Sequence, residues 1–256
     1  MSRIQHALIT GASSGIGEAL ARELASRGAR LEIAARRLDR LESLAAELRA
    51  RGTEVHVEAL DVRDPAAVRD FVREADGRSS TGLDLVVANA GVGRAAPVTE
   101  LSFEDIDETL SVNVRGAFAT LHAGLEVCLP RGRGTLCGIS SLASLGGMPG
   151  SGAYAASKAA LSTFLQTLRL DLRGTGVRVL DVQPGFVVSE MTGGDQQHPV
   201  FRGRSMVATD EAARRIVDGV HEGRVVVSFP RSESLPLRLL RSGPRCLWDA
   251  VVGRLR

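Results

Sequence analysis

Apolar runs of strand length recur along the chain at residues 7–10, 30–35, 55–59, 83–88, 134–140, 178–183 and 224–229. Between them, apolar residues return at helical period among Arg, Glu and Ala, as from Glu18 to Arg27 and from Leu38 to Arg51. The alternation runs through the chain with no linker, low-complexity stretch or internal repeat. Repeated strand–helix units predict one α/β domain over residues 1–256. Its core would be a doubly wound parallel sheet of about seven strands, with helices on both faces and right-handed crossovers. Two regions leave the rhythm. Residues 186–208 are irregular and Gly-rich, which predicts a lid segment. Residues 231–256 mix leucine with arginine and carry six arginines against two acids. That basic end is read as a helix docked on its own domain or on a partner subunit. Peripheral contact with an anionic membrane is the less favoured reading, because Pro236, Gly243 and Pro244 interrupt the amphipathic stretch.

The bulk numbers narrow the function classes. A chain of 256 residues can bury a sizeable core. A net charge of +2 gives no footprint for nucleic acid. The first residues contain no signal-peptide apolar region, and no apolar run approaches a bilayer span. Three widely spaced cysteines, Cys128, Cys137 and Cys246, suit reduced thiols and a cytoplasmic location. The five histidines form no metal-ligand spacing, so no metal is expected.

The chain has one tyrosine and one lysine, and both fall in Tyr154-Ala155-Ala156-Ser157-Lys158. Every other cation on a basic side chain is arginine. On a helix, positions i and i+4 share a face. An ammonium beside a phenol is expected to lower the phenol's pKa from about 10, which equips it for general acid–base work.

The first predicted strand runs into Thr10-Gly11-Ala12-Ser13-Ser14-Gly15-Ile16-Gly17, and a helix follows. A strand, a glycine turn and a helix N-terminus together form a dinucleotide phosphate site. Gly11, Ser13, Ser14, Gly15, Ile16 and Gly17 are therefore cofactor-binding candidates. The second strand ends in Ala35 followed by Arg36 and Arg37, where an NAD site usually carries an acid. Arginine suits a 2′-phosphate, so NADP(H) is expected in preference to NAD(H), with Arg36 leading and Arg37 assisting. The same glycine turn also matches the nucleophile elbow Gly11-x-Ser13-x-Gly15 of serine hydrolases. No strand precedes it to supply an oxyanion loop, so a hydrolase is a remote alternative.

With these motifs in hand, the sequence resembles the short-chain dehydrogenase/reductase family over roughly residues 5–230. Thr10-Gly11-x3-Gly15-x-Gly17 is similar to its cofactor loop in a Rossmann-type fold. Leu60-Asp61-Val62 resembles its adenine-contacting turn, Asn89-Ala90-Gly91 the motif after the fourth strand, and Val112-Asn113-Val114 the motif in the fourth helix. Ser141 precedes Tyr154 by thirteen residues, the family's spacing. Pro184-Gly185-Phe186-Val187-Val188-Ser189 resembles the segment that holds the nicotinamide amide, with Ser189 in place of a frequent Thr. Ala88 stands where a second Asn is common, a mild departure.

The resemblance implies hydride transfer between a nicotinamide and a secondary alcohol or ketone. Tyr154 would be the acid/base, Lys158 its electrostatic partner and a ligand of the ribose, and Ser141 a donor to the substrate oxygen. Asn113 would kink the fourth helix and hold a water that links Lys158 to solvent. Asp61, Val62, Asn89, Ala90, Gly91, Pro184, Gly185, Val187 and Ser189 would line the cofactor. Residues after Ser141, the loop near Gly91–Arg94 and the segment 190–206 would wall the substrate pocket, with Met191, Val200, Phe201 and Met206 either lining it or packing the lid. The partners implied are a small carbonyl or alcohol substrate and further copies of the chain, as a homodimer or homotetramer. A second function class is a nucleotide-binding sensor or scaffold without turnover. Retention of both Tyr154 and Lys158 argues for chemistry.

Overall fold

Leu8 and Ile9 are adjacent and fully buried, yet they face different cores. That alternation is the signature of a sheet covered on both sides. The computed structural model describes residues 4–190 and 206–253. Its strands are β1 (His6–Thr10), β2 (Arg30–Ala35), β3 (Val55–Ala59), β4 (Leu85–Ala88), β5 (Gly134–Ile139), β6 (Val177–Pro184) and β7 (Val226–Phe229). They form one sheet in the order β3-β2-β1-β4-β5-β6-β7, with every pair parallel. The connecting helices are α1 (Gly15–Ser26), α2 (Leu38–Ala50), α3 (Pro65–Gly77), α4 (Phe103–Leu110), α5 (Ala117–Cys128), α6 (Gly152–Asp171) and α7 (Thr209–His221).

The helices sort by the core they cover. Leu20 and Leu24 of α1, Leu41 and Leu48 of α2, and Ile216 and Val217 of α7 share a cluster with Ile9, Ile33 and Val182. Val68 and Phe71 of α3, Leu121 of α5, and Leu161 and Leu165 of α6 share the other with Leu8, Val86 and Val179. This is a Rossmann-like, doubly wound sheet, as the sequence predicts. After β1 the chain winds outward to β2 and β3, and β4 returns on the other side of β1. A crevice opens at the carboxyl ends of strands where the winding reverses. The glycine turn after β1 and the Asn89 loop after β4 therefore lie side by side.

Two local features shape that crevice. Between α4 and α5 the helix continues through a π-helical turn, Ser111–Gly116, which buries Val112 and Asn113. After β6, the backbone of Val187 pairs with that of Val207, with Val188 N donating to Val207 O at 3.0 Å and Val207 N to Phe186 O at 2.9 Å. These bonds join the two ends of the expected lid, whose residues 191–205, including Met191, Val200 and Phe201, lie outside the described residues.

The basic end forms α8 (Arg231–Ser242) and α9 (Arg245–Val252), both docked on the domain. Trp248 is buried, and its indole N–H donates to Gly147 O at 2.8 Å. Pro236 does not break α8 as the sequence pattern suggests it should. It is the sixth residue of the helix and forfeits the backbone bond that an N–H there would donate to Ser232 O. Among the described residues, no helix is long and apolar enough to cross a membrane. Cys128, Cys137 and Cys246 are all free, the first two buried.

Candidate active site

A cavity of about 610 Å³ opens along the carboxyl ends of the strands. Gly11, Ser13, Ser14, Gly15 and Ile16 line it from the glycine turn, and Arg36 and Arg37 from the end of β2. Asp61 and Val62 enter after β3, and Asn89, Ala90 and Gly91 after β4. Ser141 follows β5, Tyr154 and Lys158 come from α6, and Pro184, Gly185, Val187 and Ser189 come from the end of β6 onward. Gly17 and Asn113 stand behind this wall. Met206 does not line the cavity either, so of its two expected roles the lining one is not supported.

The glycine turn is held from β4. Asn89 Nδ2 donates to the carbonyls of Thr10 and Gly11, each at 3.0 Å. Gly11 and Gly15 have φ of +70° and +58°, which β-carbon-bearing residues rarely adopt. A Cβ on Gly17 would lie 2.4 Å from both Asn89 Nδ2 and Gly11 O. Gly17 is thus required by packing behind the turn. Ser14 caps α1 in position only, because its side chain makes no capping bond. Instead the Ser14 hydroxyl accepts from Arg37 Nη2 at 2.7 Å. The N–H groups of the first turn of α1 are left for a ligand, and the helix end favours an anion there. An uncapped helix, a tight turn and nearby guanidinium groups fit a dinucleotide pyrophosphate.

Both arginines line the cavity, and they make different contacts. Arg37 is the one that reaches the turn, with Nε 3.2 Å from Ser13 Oγ and Nη1 2.7 Å from Glu190 Oε2. Arg36 leans outward, 3.9 Å from Glu108. Arg40, one turn into α2, also pairs with Glu190. Arg40 and then Arg37 hold the Glu190 carboxyl down to about 2. The Asp61 carboxylate is clasped by Arg63, whose Nε is 2.9 Å away, and its pKa is lowered by that bond.

The reacting end is built on α6. Lys158 is buried, and its Nζ donates to Ile139 O at 2.8 Å. Burial pulls its pKa down to about 8, with Asp181 opposing the shift. Tyr154 lies beside it, its ring centroid 5.6 Å from Nζ. The expectation that Lys158 lowers the Tyr154 pKa is not met in this structure. Burial pushes the phenol up, and the opposing influence is a hydrogen bond with Ser141. Ser141 caps the short turn Leu142–Leu145, accepting from Ala143 N at 3.1 Å.

Asn113 is fully buried and bonded on both sides of its amide. Oδ1 accepts from Val92 N at 2.8 Å, and Nδ2 donates to Val92 O at 2.8 Å and Ser157 Oγ at 3.0 Å. The kink expected at Asn113 takes the form of the π turn. The amide clamps the loop after β4 to α6, and Ser157 in turn donates to Tyr154 O at 2.7 Å.

Several site residues are not announced by the sequence pattern. Glu190 lines the cleft, as do Glu233 and Leu237 of α8 and Val252 of α9. No motif points to Glu190. Ser157 lies inside the Tyr–Lys motif and Asp181 interrupts an apolar strand, so both were open to notice. The hydrolase alternative finds no support: Ser13 Oγ accepts from Arg37, and no described histidine lines the cavity.

Known proteins give a consistent picture. A family model described as short chain dehydrogenase matches residues 5–199. An uncharacterized oxidoreductase of Myxococcus xanthus is 45% identical over 250 residues, covering 98% of this chain and 97% of its own. An alcohol dehydrogenase from the archaeon Thermococcus sibiricus, solved with 5-hydroxy-NADP, superposes with a TM-score of 0.78 at 33% identity, covering 88% of this chain and 95% of that one. A short chain dehydrogenase/reductase from Burkholderia phymatum, solved with NAD, gives 0.83 at 25% identity, over 99% of this chain and 97% of that one.

Proposed function

The chain belongs to the short chain dehydrogenase family of oxidoreductases, and on that premise we propose that it is an NADP(H)-dependent carbonyl reductase or alcohol dehydrogenase acting through Tyr154. The observation that carries this reading is the meeting of Ser141, Tyr154 and Lys158 in one cleft with the uncapped start of α1. Structures related to this chain hold NADP-type or NAD cofactors, so the choice between the two rests on the arginines.

The bound nicotinamide would supply or accept the hydride. The N–H groups at the start of α1 would receive the pyrophosphate, Asp61 and Val62 would flank the adenine, and Arg37 with Arg36 would meet the 2′-phosphate. Gly91 keeps open the approach to Lys158, since a Cβ there would stand 3.4 Å from Nζ. In the reducing direction Tyr154 gives its phenolic proton to the forming alkoxide. Ser141 donates to the same oxygen and opposes its developing charge. Below about pH 8 the Lys158 ammonium stands 5.6 Å from the phenol ring and stabilises the phenolate left behind.

Removing the proton donor tests this. Tyr154→Phe should bind NADPH as wild type does and lose at least about a hundredfold in turnover across a panel of ketones and secondary alcohols. Near-normal turnover would defeat the mechanism. A cytoplasmic location and a homodimer or homotetramer belong to the same proposal. Free Cys128, Cys137 and Cys246 support the first, and Phe103 and Leu110, exposed on α4, are apolar residues a subunit contact would cover. Light scattering of the purified protein tests the second; a monomer at micromolar concentration would reject it.

A further inference from the structure

A carboxylate sits in the middle of the β6 strand, directly behind the reacting groups. Asp181 is buried. Its Oδ1 accepts from Ser140 Oγ, and its Oδ2 from Ser162 Oγ at 2.6 Å and Gln183 Nε2 at 2.7 Å. Ser140 is the neighbour of Ser141. Ser162 lies one turn of α6 beyond Lys158, on the same face. Asp181 therefore grips the two backbones that present Ser141 and Lys158. The chain of bonds continues outward, because Gln183 Oε1 accepts from Arg238 Nη2 of α8 at 2.8 Å. The Nε of Arg238 is buried with no partner, so this guanidinium is turned inward rather than into solvent.

We propose that Asp181 is a positioning residue for Ser141 and Lys158, and that Arg238 ties this function to the C-terminal helix. The proposal rests on the reading of Tyr154 and Lys158 as the proton-transfer pair. A carboxylate accepts at every lone pair and donates nothing, so three donors can converge on it without conflict. An asparagine would turn an N–H₂ toward one of them. The charge also has partners. Lys158 and Arg238 are the cations nearest to it in this network, and a buried acid needs such company. Around Lys158 the titratable groups are Asp181 and Tyr154; around Asp181 they are Lys158 and the buried thiol of Cys137. On α4, which packs against α6, Glu104, Asp107 and Glu108 are exposed and Asp105 pairs with Arg94. Asp181 thus supports the charged state of Lys158 while fixing its helix.

The test measures NADPH affinity by fluorescence from pH 7 to pH 10, together with NADPH-dependent reduction of diacetyl. The proteins are wild type, Asp181→Asn, Arg238→Gln and Arg238→Lys. In wild type, affinity should fall as Lys158 loses its proton. In Asp181→Asn that fall should move about one pH unit toward acid, and turnover at pH 7 should drop roughly tenfold. Arg238→Gln removes a cation, so its fall should not move toward acid; its turnover at pH 7 should drop by less than in Asp181→Asn, with Arg238→Lys restoring it. Coincident pH profiles in all four proteins would overturn the proposal, as would a loss of melting temperature with no change in profile. If instead wild type shows no pH-dependent fall and Tyr154→Phe still turns over, the reading of the catalytic pair itself has failed.

Discussion

Glu190 and Arg37 meet at 2.7 Å across the mouth of the cleft, with Arg40 closing on the same carboxylate from α2. An acid thus occupies Arg37, one of the two arginines that the proposal assigns to the 2′-phosphate. Both partners are about half exposed, so solvent screens each pair and a ligand can displace it. Glu190→Gln should then tighten NADPH up to about fivefold, through relief of competition, and leave NADH unchanged. Arg37→Ala should weaken NADPH by roughly tenfold or more and NADH little. Titration of both cofactors against the three proteins checks this. An equal change for NADH and NADPH would show that Arg37 does not read the 2′-phosphate.

Lys158 carries a stability cost that has a definite pH window. Its folded pKa is about 8 against 10.5 when unburied, so between those values the unfolded chain binds the extra proton. The destabilisation is full below about pH 8 and fades as pH rises through 10.5. Lys158→Met should therefore raise the unfolding free energy of the cofactor-free protein by about 1–3 kcal/mol at pH 7 while abolishing turnover. Denaturant unfolding at pH 7 and pH 10 checks the sign. A destabilised variant at pH 7 would mean that the bond to Ile139 O outweighs the burial of charge.

The clamp on the glycine turn predicts a coupled loss. Asn89→Ala strips both carbonyls of their donor and should cost about 1–3 kcal/mol. Gly17→Ala forces a methyl against the same amide and should cost a similar amount through overpacking. Both should weaken NADPH by more than the fall in stability alone explains, because the turn itself moves. Wild-type NADPH affinity in Gly17→Ala would show that the turn tolerates the shift.

The tail should act on substrates rather than on the cofactor. Leu237 and Val252 line the cavity from α8 and α9, and Trp248 anchors both helices. Leu237→Ala should alter KM across a ketone panel by about tenfold, in line with the loss of a few methylenes in an apolar pocket, and leave NADPH affinity within error. Trp248→Ala should destabilise by roughly 3–5 kcal/mol. A Leu237→Ala variant with changed NADPH affinity and unchanged KM would contradict this division.

The sheet was legible because both of its faces are covered. Strands buried on each side read as short apolar runs, and every run expected in the sequence matches a strand, with β4 starting at Leu85 rather than 83 and β7 at Val226 rather than 224. Motif residues were legible because their spacing is set by single elements: a turn, or one helical face. Contact between distant segments leaves no such trace in the sequence. Arg37 rather than Arg36 reaches the turn because of where Ser13 and Ser14 stand, and Glu190 arrives from after β6. The phenol's raised pKa was likewise invisible, since spacing reports the neighbour at i+4 but not the burial that outweighs it. Pro236 stands inside α8, and the sequence alone does not show that the helix accommodates it.

The docking of α8 and α9 has a bearing on how such a protein can be diversified. Beyond α7 the described residues that line the cleft are Glu233, Leu237 and Val252, which the proposed function assigns to the substrate. That assignment predicts that the two helices can be exchanged for new substrate ranges without rebuilding the nucleotide grip. The exchange has one fixed point. A graft that loses the donor at position 238 leaves Gln183 without its outer partner, and it would be expected to bind its new substrate and turn it over poorly.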